Sequence, residues 1–103
     1  MAAFRAIDLR YSARARSQLL AIQAYVSEHD PAAATRVGAA IRDAAEILRY
    51  FPFAGRIGTS IGTREWVVRG LPYVIVYEID GSQPSEVMVL GVFHGAQDRP
   101  ADE

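Results

Sequence analysis

The chain has 103 residues, half of them hydrophobic and 22% charged, with a formal net charge of -1 and no cysteine. That length suits one core, since domains cluster at ~100–150 residues, and the composition excludes a disordered polyelectrolyte or a fibrous repeat. No apolar run approaches the ~20 residues of a bilayer-spanning helix, and without cysteine there are no disulfide staples, thiolate metal sites or thiol nucleophile.

Residues Phe4–Leu9 alternate weakly and predict a short first strand, while Asp8 and Arg10 interrupt any apolar stretch that a secretory signal would need. A soluble cytoplasmic domain is expected. Ser12 reads as a helix N-cap. Behind it, Ala15, Leu19, Ile22 and Val26 line one face of a helix over residues 13–28, which turns Arg14, Gln18 and Ser27 toward solvent. Asp30-Pro31 restarts the chain as a cap followed by proline at the first helical position. The second helix carries Ala34, Val37, Ile41, Ala44 and Leu48 on one face and stops at Pro52. So few residues join the helices that they must form an antiparallel hairpin.

Residues 53–62 contain Gly55, Gly58 and Gly62 and read as a loop, without the lysine or the spacing of a phosphate-binding loop. A strand over 63–69 is built around Trp66, Val67 and Val68, and Gly70-Leu71-Pro72 supplies a turn. Residues 73–79 alternate, with Tyr73, Ile75, Tyr77 and Ile79 on one face. Asp80-Gly81 opens the next turn, and 87–94 form a last strand, apolar on both faces. The reading is a single α+β domain over residues 1–97, β-α-α-β-β-β, with the helical hairpin packed on a small antiparallel sheet. An acidic tail, residues 98–103, follows.

All eleven basic residues are arginine, whose planar fork suits carboxylates and phosphates. Without the tail the body holds ten bases against nine acids. A protein that lives on nucleic-acid phosphates advertises a larger basic excess, so strong direct nucleic-acid binding is not expected. The two histidines stand far apart in sequence without clustered acids, so no metal site and no cofactor are predicted. Arg69, Tyr77 and His94 could meet near a sheet edge, a trio suited to metal-free RNA cleavage by the RNA's own 2′-hydroxyl. Each also has a structural reading: strand tyrosines pack in cores, strand-end histidines are solvated, and flanking arginines face water. His29, at a helix C-terminus, is explained by the helix dipole. Strands apolar on both faces, covered by one hairpin, leave a second face that wants a partner.

Several pieces in chain order resemble the ParE branch of the RelE/ParE toxins. They are Tyr11-Ser12, Asp30-Pro31-Ala32-Ala33-Ala34, Phe51-Pro52 with Gly55-Arg56, the run Arg69–Tyr77, and Val92-Phe93-His94-Gly95. The resemblance implies the toxin half of a type II toxin–antitoxin pair, neutralised by a ParD-like antitoxin whose C-terminal segment wraps the toxin. ParE-like toxins poison DNA gyrase, whereas RelE-like ones cleave mRNA on the ribosome. The near-neutral charge and absent lysine favour a non-enzymatic gyrase inhibitor, with the metal-free mRNA endonuclease as the alternative. Members of the branch commonly carry arginine two residues after the His-Gly pair, where this chain has Gln97 and then Arg99. The target edge is expected at Arg64, Arg69, Tyr73, Tyr77, His94, Gln97 and Arg99. Antitoxin contacts are expected at Trp66, Arg14, Gln18 and the exposed hairpin face.

Overall fold

The computed structural model describes residues 5–95. The elements run β1 (Asp8–Tyr11), α1 (Ala13–Ser27), α2 (Pro31–Ile47), β2 (Arg56–Ile57), β3 (Arg64–Val67), β4 (Tyr73–Ile79) and β5 (Glu86–His94). Both helix starts are chemical. The Ser12 hydroxyl accepts from the Ala15 amide at 3.0 Å, and the Asp30 carboxylate accepts from Ala33 at 3.1 Å ahead of Pro31. Gly38 has no side chain, and Gln23 of α1 occupies that space and donates to the Ala34 carbonyl, so the helices approach closely.

The five strands form one sheet in the order β1-β5-β4-β3-β2. β3, β4 and β5 make the expected antiparallel meander, but β1 pairs with β5 in parallel, so the sheet is mixed. Two further differences have local causes. The first strand begins at Asp8, because Ile7 is tied to Arg49 in both directions: its amide donates to the Arg49 carbonyl and its carbonyl accepts from Arg49 Nε at 2.7 Å. Phe4 lies outside the described residues. The glycine-rich segment also contains β2, whose two residues pair with Glu65 and Arg64.

The core lies between the hairpin and one sheet face. Ala15 and Leu19 of α1 and Ile41, Ala45 and Leu48 (which ends α2) meet Val68, Ile75, Tyr77, Val87, Val89 and Val92. The register shift at Val76/Tyr77 gives β5 one extra residue, so Val87, Val89 and then Val92 all face the helices. On the opposite face Val74 and Phe93 stand side by side and are buried, while Val67 beside them is 55% exposed. Exposed large apolar side chains concentrate on the flanks and in the loop after α2.

Candidate functional site

The sequence-predicted residues separate into three groups. The first is built on Tyr77, wholly buried at the centre of β4. Its hydroxyl donates to the Pro52 carbonyl at 2.7 Å and accepts from the Gly55 amide at 2.9 Å. A Cβ on Gly55 would stand 2.6 Å from that oxygen, so only glycine lets the loop come this close. Burial raises the Tyr77 pKa above the usual 10.0, against the Gly55 hydrogen bond and the Arg64 charge, which lower it. Arg64, opposite Tyr77 in the ladder, donates to the Gly55 and Phe53 carbonyls and lies over the Phe53 ring at 5.3 Å. Together they fix a loop that leaves Phe51 and Phe53 half exposed.

The second group lies between α2 and β3. Trp66 points toward the helices, donating from Nε1 to the Ala44 carbonyl at 3.0 Å. Beside it runs a groove of about 740 Å³ lined by Ala40, Ala44, Ile47, Val67, Asp43 and the exposed Arg69, among others. β2 pairs with Arg64 and Glu65, so among the described residues no strand lies on the outer side of β3 at Val67.

The third group lies between α1 and the ends of β4 and β5. The ladder sets Tyr73 opposite His94, their rings edge to face at 5.9 Å. These two, with Pro72, Val92, Gln18, Ala21, Ile22 and Tyr25, line a cleft of about 690 Å³. Gln18 does not simply face solvent. β1 ends at Tyr11, and the Gln18 Oε1 accepts the Val92 amide at 2.9 Å, closing the edge that the strand leaves open. Ser12 does the same one step earlier, donating to the Leu90 carbonyl. Arg14, one turn before Gln18, lies over the Phe93 ring at 5.4 Å.

The register therefore pairs Tyr73, rather than Tyr77, with His94, and Arg64, rather than Arg69, with Tyr77. The expected meeting of Arg69, Tyr77 and His94 does not form. Gln97, Arg99 and the acidic tail lie outside the described residues. Among the described residues no cluster of side chains could hold a metal ion, and no helix is long and apolar enough to cross a membrane. Sequence reasoning did not single out Tyr25 or Ala21, although their spacing from Gln18 puts them on the same helical stripe.

Residues 9–99 match the model of a family described as the ParE toxin of the type II toxin–antitoxin system parDE. The chain belongs to the ParE toxin family. It is 39% identical over 92 residues to the protein named "Putative toxin Y4kP" of Sinorhizobium fredii, spanning 89% of this chain and 92% of that one. The ParE fold is also seen in the solved chromosomal ParDE system of P. aeruginosa, with a TM-score of 0.77 at 20% identity over 85% of this chain and 95% of that one. The RelBE2 toxin–antitoxin complex of Mycobacterium tuberculosis has a chain that matches with a TM-score of 0.63 and 26% identity, covering 87% of this chain and 99% of that one. The protein is thus a ParE-family toxin of a type II toxin–antitoxin system, with two helices on a five-stranded mixed sheet.

Proposed function

We propose that this toxin acts in the cytoplasm by attachment, binding and inhibiting DNA gyrase, and that a ParD-like antitoxin neutralises it. The observation that carries the reading is the engagement of Tyr77. Its hydroxyl is committed to Pro52 and Gly55 inside the core and stands apart from His94, so the trio that would assist RNA cleavage is not assembled. The surface offers instead two sizeable grooves with apolar walls, the kind of feature that receives another polypeptide. The antitoxin partner is supported by the toxin–antitoxin complexes among the solved structures of this fold. The groove at Trp66 and the exposed face of the hairpin, with Arg14 and Gln18, are the contacts assigned to it. The residues assigned to gyrase are Tyr73 and His94 in the α1 cleft, Arg69 in the groove at Trp66, and Arg64 and the buried Tyr77 at the loop after α2, together with Gln97 and Arg99 outside the described residues.

The decisive experiment is a supercoiling assay: purified toxin should block supercoiling by gyrase, and intact supercoiling at saturating toxin would overturn the reading. Similarity to a RelBE chain gives the endonuclease alternative its support. Primer extension on cellular mRNA after induction distinguishes it, because new cleavage ends would appear only for a nuclease.

A further inference from the structure

We propose that the groove between α2 and β3 is covered in the free toxin by a second copy of this chain, docked about a two-fold axis so that the two sheets join edge to edge at Val67. Because the antitoxin is assigned to the same groove above, the two occupants exclude one another; the dimer itself does not depend on that assignment.

The backbone supplies the docking edge. The Val68 amide donates to the Tyr73 carbonyl at 3.0 Å, and hydrogen bonding alternates along an antiparallel pair, so the N–H and C=O of Val67 turn away from β4. β2 pairs with Arg64 and Glu65, and among the described residues no backbone group bonds Val67 on that outer side. An open strand edge is a template for another strand, and here it carries the 55% exposed, β-branched Val67 rather than a charge. The opposite edge of the sheet is partly blunted. On the outer side of β1, Arg49 Nε donates to the Ile7 carbonyl and Arg16 donates to the Tyr11 carbonyl.

Charge selects which chain pairs there. Asp43 and Arg69 line the same groove, both exposed, and neither has an ion-pair partner among the described residues. A segment of one sign would meet its own sign at one of them. A second copy brings one of each, and a two-fold axis that passes between them sets Asp43 of one copy toward Arg69 of the other, twice. The helix wall fits the same partner. α2 places Ala40, Ala44 and Ile47 along the groove at steps of four and three; the two alanines let a neighbouring helix approach closely, and the 47% exposed Ile47 gains cover.

The test is sedimentation velocity of the purified toxin over a range of concentrations, and it needs neither gyrase nor antitoxin. Wild-type toxin should sediment as a dimer that dissociates on dilution. Asp43→Arg and Arg69→Asp each set like charges across the axis and should raise the dimer dissociation constant by about tenfold or more. The double variant restores opposite charges and should return it to within about threefold of wild type. Val67→Pro removes the outward N–H without touching the ladder to β4 and should leave a monomer. Gln83→Arg, in the distant turn between β4 and β5, should change nothing. Circular dichroism verifies folding; if Val67→Pro does not fold, the charge variants carry the same reading. Wild-type toxin that stays monomeric at every concentration overturns the proposal and leaves the groove to another chain. So does a dimer that both single charge variants leave intact, or a double variant as weak as the singles. None of these outcomes touches the proposed function, which stands or falls in the supercoiling assay.

Discussion

The Tyr77 hydroxyl sits 2.9 Å from the Gly55 amide nitrogen, joining the middle of the sheet to the loop that follows α2. Tyr77→Phe keeps the ring but leaves the Gly55 amide and the Pro52 carbonyl without this partner. The expected cost is about 1–3 kcal/mol, read as a lower urea midpoint at unchanged slope. Growth arrest by the folded fraction should persist. Arrest lost at unchanged stability would instead put the hydroxyl against the target.

Alkaline pH should lower the toxin's stability in part through the same residue. Burial raises the pKa of both Tyr11 and Tyr77 above the usual 10.0, with Glu46 adding to the effect at Tyr11. A folded-state pKa above the unfolded one gives stability that is present below about pH 10 and lost as pH climbs through the folded value. Urea midpoints should therefore fall on the alkaline side, and Tyr77→Phe should flatten part of that fall. A wild-type profile level from about pH 8 to about pH 11 would contradict the assignment.

Gln18 substitutes for a missing strand. Gln18→Ala removes the acceptor of the Val92 amide, at a cost of about 1 kcal/mol. The local signature is faster amide hydrogen exchange at Val92, while exchange at Ile75, on the neighbouring strand, should change little. Equal acceleration at both would mean that the substitution loosens the whole sheet rather than its edge.

At the target edge, replacing His94 and Arg99 together with alanine should reduce growth arrest without unfolding the domain. His94 is exposed at the end of β5, so its removal creates no cavity. Undiminished arrest by a folded double variant would remove this edge from the toxin's working surface.

Much of this architecture was legible because capping and periodicity are local. Ser12, Asp30-Pro31 and the alternation over Tyr73–Ile79 each placed an element close to where it lies. What stayed hidden depends on partners far along the chain. Two residues, Arg56 and Ile57, carry no period, and they become a strand only because β3 offers an edge. The extra residue in β5 shifts alternation within one strand, so apolar positions that read as two faces resolve into Val87, Val89 and Val92 on one. The site was half legible for the same reason. Tyr73, Tyr77 and His94 are visible as candidates, but only the register decides that His94 meets Tyr73. Gln18 reads as a solvent-facing helix residue until the end of β1 is known.

The parallel pairing of β1 with β5 links segments far apart in the polypeptide, with Ser12 bonding Leu90 across 78 positions. During translation β1 must wait until β5 has been made before it finds its neighbour. A nascent chain cut short anywhere before β5 lacks the strand that joins β1 to the rest of the sheet and one wall of the α1 cleft. The folded toxin is thereby withheld until β5 is made, which gives a cell making its own poison an interval in which the antidote can already be waiting.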